Sequence, residues 1–302
     1  MKIIDAHTHV FDYIKGFGSK GELQALGNGK ARWATGEVLS MIPEELGDKS
    51  FTGETLFSIL KDNDVDKAIL LQGSFYGFQN EYTYEVAKKY PDFFLAAGTL
   101  DPFCKAADQI LDRLLHDFQF PIIKFETSSG GGLMGYHKEY RIDKEFSNVF
   151  DKIARENRTL VLDIGSPHME SFQPDAIARI ATEYPDMHII VCHLLAPTIH
   201  DADALSEALD KLQFDNVWFD LAAIPWNVAP ETYPYPTGQH FIKMAAEIVG
   251  YQKLLWGTDV PSVLTKESYG NLSAYITQSR IFNEKELEAV FYYNALEAYP
   301  FA

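Results

Sequence analysis

Short apolar runs alternate with amphipathic segments along almost the whole chain. Near-continuous hydrophobic runs fall at residues 2–7, 67–71, 93–98, 121–125, 159–163, 188–193, 217–220 and 253–258. Continuous rather than alternating apolar residues predict strands buried on both faces, as in a parallel sheet. Between these runs, apolar positions at helical spacing predict helices near 54–62, 80–89, 105–117, 143–156, 174–184, 203–212, 238–249 and 268–278. Eight strands, each followed by a helix, count to an α/β fold of the (β/α)8 TIM-barrel type. A doubly wound open sheet is the rival. No Gly-x-Gly-x-x-Gly follows any of the runs, and Gly130-Gly131-Gly132 does not lead into Gly-Lys-Ser/Thr, so the phosphate-cradle readings fail.

Three stretches depart from a minimal barrel. Residues 10–50 form a long, Gly-rich first β–α connection carrying Lys30, Arg32 and Trp33, expected to be a lid or a small inserted element. Residues 224–237 hold four prolines with Trp226, Tyr233 and Tyr235, a stiff aromatic loop after the seventh strand. Residues 284–299 read as an extra helix closing a distorted barrel. Neither a linker nor a repeat beyond the β/α alternation interrupts the chain, so residues 1–302 are expected to form one domain.

Composition narrows the partners. With 26 basic against 43 acidic residues the formal charge is −17, which repels nucleic acid and anionic membrane. Only Cys104 and Cys192 are present, far apart, which gives no disulfide framework and suits a reducing cytoplasm. The N-terminus lacks the basic flank and long apolar run of a signal peptide or membrane span, so a cytoplasmic protein is expected.

The chemistry gathers at the strand ends. In a barrel of this type the C-terminal ends of the strands carry the reacting groups. Asp5, His7 and His9 alternate along the first strand, so the period of two places them on one face with Thr8 opposite. Two imidazoles there can offer nitrogens to one metal ion, although a hydrogen-bonded pair would look the same. The fourth strand carries Lys124 with Glu126 on the same side, the fifth ends at Asp163, the sixth at His193, and the eighth runs into Asp259. Five strands thus aim metal-capable or proton-transferring groups at one end. That convergence favours a site over five separate packing explanations.

These residues also carry a family resemblance. Ile4-Asp5-Ala6-His7-Thr8-His9, Val191-Cys192-His193, Trp256-Gly257-Thr258-Asp259-Val260-Pro261 and Asn294-Ala295 resemble the amidohydrolase superfamily. More narrowly they are similar to its amidohydrolase-2 branch, which includes aminocarboxymuconate-semialdehyde decarboxylase and related hydratases and lactonases. The resemblance implies one divalent cation, zinc or manganese, with His7, His9 and Asp259 as ligands. It further implies that Asp259 takes a proton, that His193 acts as acid/base or an additional ligand, and that the enzyme is a homodimer with a small-molecule substrate. The fifth strand departs from the pattern, ending in Asp163 where many relatives carry a histidine. Asp163 could be an oxygen ligand favouring manganese, or orient a ligand from behind, and His168 could reach in from the following loop.

Metal-dependent hydrolysis of a small ester, lactone or amide is the first expectation. Two alternatives are decarboxylation of a small aromatic or enol carboxylate and a metal-free lactonase. Lys124, Arg32, His168 and Trp226 are the expected substrate contacts. Lys124 would otherwise pair with Glu126 or Asp163, and Arg32 would otherwise be a solvated loop residue.

Overall fold

The computed structural model describes residues 1–301. Strand β1 (Ile4–His9) is followed by four short strands, β2 (Lys15–Gly18), β3 (Gly21–Gly27), β4 (Lys30–Trp33) and β5 (Val38–Ser40). The parallel strands then resume as β6 (Lys67–Leu71), β7 (Phe94–Gly98), β8 (Ile122–Glu126), β9 (Thr159–Asp163), β10 (Ile189–Val191), β11 (Val217–Asp220) and β12 (Leu254–Leu255). The large sheet runs β1-β6-β7-β8-β9-β10-β11-β12, in chain order apart from the inserted strands. Main-chain bonds Ala6 N to Trp256 O (3.0 Å), Asp259 N to His7 O (2.8 Å) and His9 N to Val260 O (2.9 Å) join its first and last members. The sheet is therefore nearly closed as a (β/α)8 barrel, with helices between the strands.

The helices start where local chemistry satisfies their free N–H groups. Thr52 caps the helix Gly53–Asp62 by accepting from Thr55 N at 3.1 Å, and Pro174 opens Pro174–Glu183. Asn283 and Glu286 form a reciprocal capping box at the head of the C-terminal helical segment. That segment continues through a wide turn at Ala289–Tyr293 to Asn294–Ala298. Asn294 Nδ2 donates to Tyr251 O (2.7 Å) and Leu254 O (2.8 Å), pinning it to β12. Ala295, Ala298 and Tyr299 then pack against the N-terminal half of the barrel interior.

Alternation along the strands builds two layers inside the barrel. Ile122, Val161, Ile190 and Trp218 fill the lower interior. Two residues further along the same strands stand Lys124, Asp163, Cys192 and Asp220, so the inner face turns polar at its C-terminal rim. The larger core lies outside the strands, between sheet and helices. No helix among the described residues is long and apolar enough to cross a membrane.

Of the forms expected of the first connection, it takes that of a small inserted element. Residues Lys15–Ser40 form a four-stranded antiparallel sheet in the order β2-β3-β4-β5. Asn28 and Gly29 (φ 51° and 67°) make the tight turn between β3 and β4, as an Asn-Gly hairpin requires. A Cβ on Gly29 would lie 2.0 Å from Ile42 O, so only glycine fits there. Two predicted strands are shorter than expected: 188–193 shrinks to Ile189–Val191 and 253–258 to Leu254–Leu255, because both chains leave the sheet to shape the site.

Candidate active site

The rim of the barrel brings three acceptors together. His7 Nε2 and His9 Nε2 are 3.2 Å apart, and Asp259 Oδ1 lies 2.8 Å from His9 Nε2 and 3.6 Å from His7 Nε2. The other ring nitrogens are committed elsewhere. His9 Nδ1 meets Leu71 O at 2.9 Å, and since a carbonyl only accepts, Nδ1 carries the proton. His7 Nδ1 donates to Asp220 Oδ2 at 2.9 Å. Both Nε2 atoms therefore present lone pairs to each other and to a carboxylate oxygen. Protonation does not relieve this crowding, because burial lowers the pKa of both imidazoles, that of His7 to about 4 against the pull of Asp220.

A divalent cation does relieve it. Nitrogen ligands about 2.0–2.1 Å from a tetrahedral ion stand roughly 3.3 Å from one another. The triangle's edges bracket that value, and two imidazoles with one carboxylate suit zinc or manganese. The residues present fit the ion.

Local backbone features aim each group. A register shift in β1 between Asp5 and Thr8 breaks the simple alternation. Ile4 and Ala6 face the barrel interior, and after the bulge His7 and His9 do so as well. Asp5 is thereby left on the outer side, contrary to the expectation that it shares the histidine face. There it accepts from Thr258 Oγ1 (2.6 Å), Thr258 N (3.0 Å) and Tyr269 OH (2.8 Å), tying β1 to the segment that carries Asp259. Gly257 permits the close approach, since a Cβ there would lie 3.0 Å from His7 Cβ.

His193 is aimed by strain. Alternation gives the inward position to Cys192, and His193 would follow outward. Instead His193, Leu194, Leu195 and Ala196 all take positive φ, between 47° and 66°. Such residues cost of order 1–3 kcal/mol each and persist only where their surroundings over-determine them. Asp220 Oδ1 holds this turn by accepting from His193 N at 2.9 Å. The His193 ring stacks on His7 at 4.6 Å, with Nε2 3.7 Å from Asp163 Oδ2. Burial would lower the imidazole pKa, but Asp259, Asp163 and Asp220 more than offset it, so the net shift is upward. Asp259, also at positive φ (69°), is held well below the usual carboxylate range: burial opposes its charge, and the surrounding imidazoles of His9, His193 and His7 outweigh it.

Asp163 stands outside the triangle. Its Oδ1 accepts from Gly165 N at 2.9 Å, a local turn that draws the carboxylate back toward its own strand end, and its other oxygen faces His193. The orienting alternative fits this placement, and the ligand expectation does not. His168, at φ 70°, turns outward to Asp201 (3.1 Å) with its side chain 80% exposed, so it does not reach the site. Arg32 sits on the solvent side of β4, whose alternate residues Ala31 and Trp33 are buried, and it lines neither cavity at the barrel mouth. The long connection contributes Val38, Leu39, Ser40 and Met41 instead.

Two cavities meet at Asp259 and His193. The inner one, about 80 Å³, is lined by His9, Tyr76, Lys124, Glu126, Asp163 and Ser262 among others. The outer one, about 480 Å³, opens between Val38–Met41, Phe75, Trp226 and Lys266. Lys124 is buried in the inner cavity, yet its Nζ finds no carboxylate within 4.0 Å among the described residues. Glu126 accepts from Phe75 N at 3.1 Å, and Gly73 leaves room for its carboxyl, since a Cβ there would lie 2.2 Å from Oε2.

Burial pushes Glu126 up to about 7, against the pull of Lys124. An unfolded glutamate ionises near 4.5. At this carboxyl the folded chain therefore keeps its proton where the unfolded one loses it, and the group's own contribution to stability falls as pH rises from about 4.5 to 7. Glu126→Gln cannot ionise and flattens the fall, by roughly 1–3 kcal/mol. Urea midpoints for both proteins at pH 5 and pH 8 measure this, and identical pH dependence would refute it.

Sequence reading passed over two site residues. Asp220 ends a recognised strand two positions after the inward Trp218, the same signal that selected Asp163. Lys266 lies seven positions beyond Asp259, in a segment without strand or helix periodicity, and nothing in the pattern marks it.

The comparisons with known proteins agree with the fold. The Amidohydrolase family model matches residues 4–301. Among solved structures, a probable 2-pyrone-4,6-dicarboxylic acid hydrolase from Acinetobacter baumannii, with citric acid bound, has a TM-score of 0.71 at 16% identity over 100% of both chains. An amidohydrolase from Burkholderia multivorans with bound zinc gives 0.71 at 14% identity over 99% of both. A 5-carboxyvanillate decarboxylase from Sphingomonas paucimobilis gives 0.55 at 13% identity over 82% of both. No curated protein matches by sequence. At these identities the neighbours speak to the barrel alone, while the family match spans nearly the whole chain: the protein belongs to the amidohydrolase-2 family of enzymes.

Proposed function

We propose that the protein is a metal-dependent hydrolase of a small ester, lactone or amide. The observation that carries this reading is the meeting of His7 Nε2, His9 Nε2 and Asp259 Oδ1 within 3.6 Å of one another, with both Nδ1 atoms turned to other partners. These three would hold the cation, zinc or manganese. Bound there, it supplies polarisation of a carbonyl and brings a water pKa from 15.7 to about 7. Asp259 uses Oδ1 toward the imidazoles, while Oδ2 takes no protein donor among the described residues. That free oxygen accepts the proton of the attacking water and passes it to the leaving group. His193, stacked on His7 and lining the same cavity, donates to the carbonyl oxygen as charge grows there. Asp163 and Asp220 orient His193, and Phe75 and Tyr76 keep bulk water from His9.

Decarboxylation is the second reading, and Lys124 favours it. Its ammonium shares the inner cavity with His9 and Asp259, where it could grip a carboxylate beside the reacting carbon. Arg32, the other cation considered for that task, faces solvent. A metal-free lactonase fits less well, since it leaves three lone pairs opposed. A panel of lactones and hydroxybenzoates, scored for acid release against carbon dioxide release, separates the first two. Acid release from lactones, lost on chelation and restored by zinc or manganese, is expected. Carbon dioxide release alone would transfer the site to the second reading.

A further inference from the structure

The outer cavity carries a cation that no carboxylate pairs with among the described residues. Lys266 Nζ sits 3.7 Å from the centroid of the Trp226 ring, and both residues line the cavity together with Val38, Leu39 and Met41. No carboxylate comes within 4.0 Å of it among the described residues. Its pKa is lowered by burial, and no charged neighbour pulls it back. Its neighbour Glu267 is engaged elsewhere, accepting from Tyr235 OH at 2.7 Å and Asn271 Nδ2 at 2.8 Å. The ring face holds the ammonium in place through its quadrupole without neutralising it. A partly desolvated, unpaired and positioned cation is a site for an anion, because pairing recovers the interaction that burial weakened.

The rest of the cavity defines the body that anion belongs to. Val38, Leu39, Met41, Phe75 and Ala223 give the cavity an apolar wall that it shares with Lys266 and the reacting groups Asp259 and His193. We propose that Lys266, held on Trp226, is the specificity-determining residue that receives a carboxylate at the far end of an apolar substrate. The susceptible bond of that substrate lies toward Asp259. The proposal rests on the hydrolase reading for the direction of the substrate, though not for the existence of the anion subsite. It also accounts for recognition of an anion by a protein of net charge −17: the local field at the mouth, rather than the total, governs the last few ångströms.

The probes are 4-fluorobenzoate and its neutral relative 4-fluorobenzamide, titrated into the full-length protein and followed by fluorine NMR. Wild type should bind the acid about tenfold or more tightly than the amide, the scale of a hydrogen bond to a charged group. Lys266→Met keeps the apolar stem and removes the charge, and it should erase that preference while changing amide affinity less than about twofold. Trp226→Leu should weaken acid binding in the same sense, because the ammonium loses its platform. Lys124→Met is the control for the inner cation. Acid preference surviving Lys266→Met, or no preference in wild type, overturns the proposal. So does a preference lost in Lys124→Met but kept in Lys266→Met. None of these readings passes through turnover, so failure here leaves the hydrolase reading standing, and an inactive enzyme leaves the subsite standing.

Discussion

Asp259→Asn should abolish turnover, with a loss of at least the roughly 10²–10⁴-fold that a general acid–base group contributes. The substitution preserves shape and removes only charge and basicity. It also relieves a conflict. The replacement side chain can turn an amide donor toward His9 Nε2, where a carboxylate oxygen now faces a lone pair at 2.8 Å. The metal-free variant should therefore unfold no more easily than wild type, and the barrel closure through Asp259 N to His7 O is untouched because it is main chain. Kinetics on the best substrate of the panel, beside a thermal melt of chelated protein, separate the two effects. Near-normal turnover would remove Asp259 from the proton path. An unfolded variant would show that its carboxylate serves structure first.

The second large effect is expected at Asp220, which lies outside the triangle. Its Oδ1 accepts two main-chain donors, His193 N (2.9 Å) and Ala222 N (3.1 Å), and its Oδ2 accepts from His7 Nδ1 (2.9 Å). Burial works against its charge, but His7 and then His193 hold the carboxyl down at about 2. In Asp220→Asn the oxygen must stay toward the two N–H donors, so the amide nitrogen turns to His7. His7 Nδ1 then has to accept, the ring proton moves to Nε2, and the lone pair pointing at the cation site is lost. Removing a partner of this kind typically costs 10–100-fold in metal affinity. Competition with a chromophoric chelator reads that number directly. Unchanged affinity would mean that His7 does not ligate through Nε2.

These two residues show where sequence reasoning reaches its limit. The barrel was legible because strands buried on both faces are written as apolar runs, and β6, β9 and β11 fall at the predicted residues. Alternation correctly turns Lys124 and Asp163 inward, and the same period turns Asp220 inward two positions after Trp218. It fails where the backbone leaves the ideal. The bulge in β1 sends Asp5 outward while both histidines stay in, and a left-handed turn after Val191 brings His193 in where the period of two points it out. No residue-type pattern announces either device. The inserted sheet takes one of the forms the long connection allows, and Asn28-Gly29 between alternating segments is a hairpin signal for it, while its exposed face accounts for Arg32. His168 and Lys266 lie in irregular segments, where position in the chain says little about position in space.

The central claim is that one cation belongs between His7, His9 and Asp259. Anomalous diffraction from a crystal soaked with zinc or manganese, collected on either side of the metal edge, tests it most directly. The account predicts a single strong peak in contact with His7 Nε2, His9 Nε2 and an Asp259 carboxylate oxygen. A peak seated elsewhere in the barrel, or none at saturating metal, would contradict it.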